Sequence, residues 1–400
     1  MYYSHLKYFI FLLLLWNIYG CANNEKSSGV KEETIPDVNV ELFTNLDSII
    51  IAEKAAELDK KFNFLQRKTG FNGTVLYAEK GRIIFKKAYG YANVRNKRDS
   101  LNTSDAFQLA SVSKMFTSMA IMILYHDGKL DYDEDIRTYL SDFPYENVTC
   151  RWLMTQRTGL PRYMSLALDK WPNKKIPLSN DDMLDLFAEY KPDVYFKPNG
   201  GFHYCNTNYA ILANIVEAVS GMYFDVFLEQ RLFKPLGMDS SFVYNMRDDS
   251  AVPLYIDKGI PGYYSRGWRF REMENDYLNG VMGDKNVYSS VEDMYRFDQS
   301  LDNFSLLPDS IIREAFKPGS KRYWKRKNNY GFGWRIKDGM DSTVYHFGWW
   351  KGFRTFYIRD MRYQKTLIVL TNKDRGPGSD NFWNIIKADT LPLGQFSLTQ

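Results

Sequence analysis

Cysteine and histidine are scarce in this 400-residue chain, with three of the first and four of the second. No H-E-x-x-H or C-x-x-C pair occurs among them, so the spacings that build a zinc centre are missing and no metal or cofactor is implied. G-x-S-x-G is absent as well, which sets aside an α/β-hydrolase. Charge of one sign is lacking: 52 basic and 48 acidic residues leave +4, and no long basic run marks a nucleic-acid partner. Repeats and low-complexity tracts are missing too. What is present is ordinary for a folded protein, 44% hydrophobic and 25% charged, with 16% aromatic residues to fill a sizeable core. The length suits one large domain or two interleaved ones.

The start of the chain points to export. Lys7 is the only charge before the apolar run Tyr8–Trp16, which is too short to span a bilayer and has the length of a signal-peptide core. It ends in Ile18-Tyr19-Gly20-Cys21, which resembles the bacterial lipoprotein box. Residues 1–20 are therefore expected to be a signal peptide, and Cys21 the lipidated residue that anchors an exported protein to a membrane, periplasmic or at the cell surface. The alternative is a buried N-terminal helix with a chance cysteine. Residues 21–44 are polar, without helical periodicity, and read as a tether. Cys150 and Cys205, 55 positions apart, are expected to be free thiols.

A single domain is expected over 45–390. Residues 46–67 carry apolar side chains at helical spacing. Two strands follow, Gly73–Glu79 and Arg82–Tyr89, joined by a Lys80-Gly81 turn. The pattern from about 107 to 299 is mostly helical. Strands resume at Gly331–Lys337, Thr343–Phe347, Phe353–Arg359 and Thr366–Thr371, before a last helix at about 381–388. Early and late strands must pair across the insertion. The fold class expected is thus α+β: an antiparallel sheet built from about 45–106 and 300–390, flanked by N- and C-terminal helices and interrupted by a mostly helical part.

Chemistry concentrates in 107–128, FQLASVSKMFTSMAIMILYHDG. Apolar side chains cover nearly every face of this stretch, the mark of a buried central helix that Gly128 stops. Ser111 and Lys114 stand at its start, three apart and so on one face. Burial disfavours an ammonium, and a neutral amine beside a hydroxyl at a helix N-terminus is a nucleophile with its activator. S-x-x-K recurs at Ser4–Lys7 and Ser28–Lys31, where no buried base could form. From spacing alone Ser111 is equally a helix-capping serine.

The same segment resembles the active-site helix of the serine β-lactamase and penicillin-binding protein superfamily, in its class C and DD-peptidase-like branch. FKPNGGFHYCNTNYAILANIVEAVSG is similar to that family's second motif, with Tyr204-Cys205-Asn206 as Tyr-x-Asn. LFKPLGMDSSF and GDKNVYSSVEDMYRF follow in the family's order, and Val344-Tyr345-His346-Phe347-Gly348-Trp349 stands where the family has Lys-Thr-Gly or His-x-Gly. The likeness runs over about residues 60–375. Tyr-x-Asn also occurs at Tyr91, Tyr145 and Tyr277, His-x-Gly at His126, and a literal Lys68-Thr69-Gly70 before the nucleophile. Only Tyr204 and His346 have matching flanks and order. Without the resemblance they would read as a half-buried aromatic and a sheet histidine.

The resemblance implies acyl transfer. Ser111 would form an acyl-enzyme, Lys114 and Tyr204 would share its proton, and Asn206 would hold Lys114 and the substrate amide. The backbone N–H groups of Ser111 and Trp349 would form an oxyanion hole, with Gly348 leaving room for substrate against the strand. His346 replaces the more usual lysine, which puts binding of a substrate carboxylate in doubt. Gln156 stands where the family has a histidine, so a proton-network role there is doubtful too. Trp349, Trp350, Lys351 and Arg354 form a cluster suited to an anionic, ring-bearing substrate, or to a solvated strand edge. The implied substrate is a small peptide, amide or ester, with the D-Ala–D-Ala end of peptidoglycan among the candidates. A β-lactamase, a broad esterase and a slowly deacylating sensor of penicillin or peptidoglycan use the same residues.

Overall fold

The computed structural model describes residues 38–267, 269–320, 329–340 and 342–393. The expected signal peptide, Cys21 and most of the tether lie outside them. Helix α1 runs over Val38–Thr69, so the last seven residues read as tether, 38–44, are helical. No glycine or proline interrupts 38–69, and nothing in that stretch stops the helix from extending back to Val38.

Strands β1 (Gly73–Glu79) and β2 (Arg82–Tyr89) form a hairpin. Its two loop residues, Lys80 and Gly81, both have positive φ, +51° and +73°, which matches the right-handed twist of the strands they join. The late strands are β3 (Arg335–Ile336), β4 (Thr343–Trp350), β5 (Phe353–Asp360) and β6 (Lys365–Thr371). The six make one sheet in the order β3-β4-β5-β6-β1-β2. The early and late strands join at the antiparallel pair β1 and β6, with Val75 opposite Val369. The first and last strands thus meet across everything between them.

Side chains alternate between the two faces of this sheet. Val75, Tyr77, Ile358, Leu367 and Val369 pack with Leu58 and Phe62 of α1 and with Phe382 and Ile385 of the last helix (Asp380–Ile386). Leu76, Tyr357, Ile368 and Leu370 face the other way, into the core of the helical part. That core is organised by α2 (Ser113–His126) and α3 (Asn206–Ser220). Every residue of α2 from Ser113 to Leu124 is buried.

Two boundaries differ from the expectation, each for a local reason. The strand expected over 331–337 shrinks to Arg335–Ile336. A side chain on Gly331 would meet the Ala315 carbonyl at 2.1 Å, and one on Gly333 (φ +83°) would meet the Lys114 carbonyl and Met115 at 2.9 Å. This segment therefore packs against Ala315 and α2 instead of extending. The helical segment 107–128 begins with a two-residue strand, Phe107–Gln108, paired to Val287–Ser289, and one 3-10 turn, Ala110–Val112, before α2.

Candidate active site

Ser111 sits in that 3-10 turn, straight after Ala110, whose φ is +50°. A non-glycine residue in this region is strained, and strain of this kind persists only where the surroundings impose it. They are imposed from β4. Gly348 has no side chain, and a Cβ there would lie 2.3 Å from the Leu109 carbonyl, 2.3 Å from the Thr355 hydroxyl and 3.0 Å from the Ala110 Cβ. Thr355 in turn donates to the Leu109 carbonyl at 2.7 Å. The space expected for substrate at Gly348 is thus taken by the backbone that carries Ser111. The glycine sets how closely strand and turn approach.

Lys114, on the first turn of α2, is wholly buried. Its Nζ donates to the Ser111 hydroxyl at 3.1 Å and to the Asp284 main-chain carbonyl at 2.7 Å. It also lies 5.2 Å from the centre of the Tyr204 ring and 5.6 Å from that of Tyr209. Neither of its hydrogen-bond partners is an anion. The expected link from Asn206 is replaced: the Asp284 carbonyl takes Lys114, while the Asn206 amide nitrogen approaches Met164 Sδ at 4.0 Å. Its carbonyl oxygen is buried without a partner, an open acceptor at the first position of α3.

Asp284 is itself locked. Its carboxylate accepts from Lys285 Nζ at 3.0 Å and from the Tyr163 hydroxyl at 3.2 Å, and Lys285 also donates to the Tyr163 oxygen and to the Val281 carbonyl, each at 2.9 Å. Burial lowers the pKa of Lys285 while Asp284 opposes the shift. Sequence reasoning missed this second lysine, although GDKN lay inside a recognised segment. A Lys beside an Asp normally reads as surface charge.

Tyr204 is half-buried, just before α3. Gln156 positions its turn: the Gln156 side-chain oxygen accepts from Cys205 N at 2.8 Å and from Asn208 Nδ2 at 2.6 Å. The residue that replaced histidine is therefore a clamp on the Tyr204 turn. Cys205 and Cys150 are both buried free thiols.

His346, on β4, lies beside Tyr204, the ring centres 5.9 Å apart. It is wholly buried, and burial, with the Arg335 and Lys114 charges adding to it, holds the imidazole well below its ordinary value near 6.5. Its Nδ1 is 2.8 Å from the Phe347 carbonyl, which can only accept, so Nδ1 carries the proton and Nε2 accepts from the Tyr330 hydroxyl at 2.9 Å. His346 is thus neutral. The cation of this corner is Arg335 of β3, its guanidinium carbon 4.7 Å from the centre of Tyr204 and 5.8 Å from that of Tyr330. Arg335 has no carboxylate partner among the described residues. Its strand pairs with β4 only at Val344 and Tyr345, so among the described residues β4 from His346 to Trp350 has no sheet neighbour on that side. Trp349, next to Gly348, is 72% exposed.

The arrangement joins a hydroxyl, an amine with only neutral hydrogen-bond partners, a phenol, a free cation and an open strand edge. A larger cleft, about 890 Å³ along Asp225, Glu229 and Asp257, is lined by none of these groups.

The chain matches the Beta-lactamase family over residues 58–391. It is 37% identical over 337 residues to a penicillin-binding protein of Bacillus subtilis, covering 80% of this chain and 72% of that one. A D-aminopeptidase of Cereibacter sphaeroides is 26% identical over 79% of this chain and 59% of its own length. The crystal structure of a penicillin-binding protein from Bacillus halodurans superposes with a TM-score of 0.69 at 26% identity, over 81% of this chain and 98% of that one.

Proposed function

The chain belongs to the Beta-lactamase family and is a serine hydrolase, and from that premise we propose that Ser111 is its nucleophile, acting on amide-linked peptides in the manner of a DD-peptidase. The observation that carries this reading is the 3.1 Å bond from a buried lysine, itself fixed by the Asp284 carbonyl, to the Ser111 hydroxyl. Lys114 takes the hydroxyl proton as Ser111 attacks the carbonyl carbon. Tyr204, its ring against the Lys114 ammonium, passes that proton to the departing amine. The N–H groups of Ser111 and Trp349 receive the developing oxyanion, a donor of this kind being worth about 3 kcal/mol. The close contact at Gly348, which sets the two peptides side by side, supports this placing.

Arg335 answers the doubt raised by the loss of a lysine on β4. We assign it the substrate carboxylate, since its guanidinium lies beside Tyr204 with no carboxylate partner among the described residues. Slow release of the acyl group fits the surroundings: Asp284, whose main-chain carbonyl holds Lys114, has its carboxylate oxygens occupied by Lys285 and Tyr163. The relatives' names, penicillin-binding protein and D-aminopeptidase, support a substrate containing D-amino acids, with peptidoglycan peptides the favoured class. Export and anchoring through a lipidated Cys21 complete the proposal, and labelling with a tagged fatty acid that Cys21→Ser abolishes would establish them.

The direct test incubates the full-length protein, in detergent, with a penicillin and follows intact mass and penicillin loss. A persistent adduct missing from Ser111→Ala is the expected result. Rapid clearance would make the protein a β-lactamase instead, and an adduct unchanged in Ser111→Ala would remove Ser111 as nucleophile.

A further inference from the structure

A cleft of about 530 Å³ is lined by residues of two hairpins, a short one of Tyr91–Asn93 with Arg98–Ser100 and another of Tyr263–Arg266 with Arg269–Glu272. That size falls within the range of small-molecule sites. None of Ser111, Lys114, Tyr204 and His346 lines it. Arg95, Arg271, Glu272 and Glu274 do, and no side chain of these four makes a hydrogen bond or an ion pair among the described residues. Glu272 is half-buried, and burial raises its carboxyl with no cation offsetting the shift. A carboxylate drawn out of water without a partner is costly, and a bound ammonium lessens that cost.

Tyrosines bring the two signs together. Tyr263 stands opposite Glu272 across the second hairpin, and Tyr264 opposite Arg271. The Tyr263 phenol feels both charges: burial pushes it up to about 12, Glu272 adding to the rise and Arg95 opposing it. The same charges act on Tyr255, a lining residue that is 46% exposed. Cations and anions that act on one ring yet stay unpaired leave a gap for a ligand carrying both signs. A phosphate or an acidic sugar would meet Glu272 and Glu274, and a polyamine would meet the arginines, each a like-charge encounter. We propose that this cleft binds a zwitterionic amino acid or short peptide, its ammonium at Glu272 and Glu274 and its carboxylate at Arg95 and Arg271, with the tyrosine rings receiving an apolar side chain. The site goes beyond the reading of Ser111 as nucleophile and does not rest on it.

The test is calorimetry on the full-length protein in detergent with three probes: L-alanyl-L-tyrosine, its N-acetyl form and its C-terminal amide. Wild type should bind the dipeptide about tenfold or more tighter than either blocked form, the scale of one charged contact. Glu272→Gln should bring the dipeptide and N-acetyl affinities together, and Arg95→Met those of the dipeptide and the amide, each leaving the other ratio in place. A wild-type urea midpoint in both variants would show that the change is one of charge and not of folding. No saturable binding, equal affinity for the three probes, or ratios unchanged in both variants would overturn the proposal. Tighter binding of glucuronate or inorganic phosphate than of the dipeptide would also overturn it, making the cleft an anion site. Loss of dipeptide binding in Ser111→Ala, or after acylation by a penicillin, would move the dipeptide to the Ser111 site and overturn it too. Failure of Ser111 as nucleophile would leave these ratios as they are.

Discussion

Two lysines lie buried on either side of Asp284, and their surroundings are opposite. Lys285 meets a carboxylate, a phenol and a carbonyl. Lys114 meets a hydroxyl and a carbonyl, with no anion in hydrogen-bond contact. An ammonium buried without a counter-ion is costly, while one paired to a carboxylate and fully hydrogen-bonded is tolerated. Lys285 is therefore held in place by its counter-ion, whereas Lys114 is held by neutral groups beside the Ser111 hydroxyl. The same aspartate serves both: its side chain pairs with Lys285, and its carbonyl aims Lys114.

Exchanging the partners' roles would break this contrast. Ser111→Ala or Lys114→Met should lower kcat/KM by about 10⁴-fold or more, the range seen when a member of a catalytic unit is removed. Wild-type urea midpoints in both variants would show that the loss is chemical. Lys285→Met leaves the Asp284 carboxylate buried and uncompensated, which should cost about 3–5 kcal/mol of stability by denaturant unfolding. It should also lower kcat more than it raises KM, because the carbonyl aiming Lys114 is freed. Asp284→Asn combined with Lys285→Met should regain much of the stability. Retention of full stability in Lys285→Met alone would mean that this pair holds nothing. Arg335→Met should raise KM about tenfold for substrates with a free carboxylate and leave their amides little changed, a split that reads its charge and not its packing.

The smallest effect concerns His346. Its folded value lies below the unfolded one near 6.5, so the folded state binds fewer protons between them. Stability is complete above about 6.5 and falls as pH drops through that window toward the folded value. Urea midpoints measured from pH 7.5 to 5.0 should decline in the wild type and decline less in His346→Gln. Equal slopes would mean that the imidazole is not held neutral.

Much of the fold was legible because its signals are local. The Lys80-Gly81 turn, the apolar runs of β1 and β6 and the all-apolar α2 each carry their own pattern. The limits of β3 did not, because Gly331 packs against the Ala315 carbonyl and Gly333 against α2, close approaches that no window of sequence contains. In the site, Ser111, Lys114, Tyr204 and His346 were singled out through order and flanks, and the fold brings them together. Arg335 was missed, since a lone arginine before a turn has no signature until the sheet sets it over Tyr204. Gly348 was read correctly as a position without a side chain, yet the room it makes belongs to the protein's own backbone. Asn206 was expected on Lys114 because a motif fixes neighbours in sequence, whereas the Asp284 carbonyl arrives from far along the chain.

The pairing of β1 with β6 has a consequence in time. A nascent chain emerges from its N-terminus, so β1 waits with one edge unfilled until residues near 370 appear, and the middle of the sheet is among the last things to form. Contacts so distant along the chain make for slow assembly. Until then Gly348 has no fixed place, Ala110 has nothing to hold it at positive φ, and the hydroxyl and its lysine remain unassembled. A fragment ending before β6 would contain every residue of the reactive constellation and none of its reactivity.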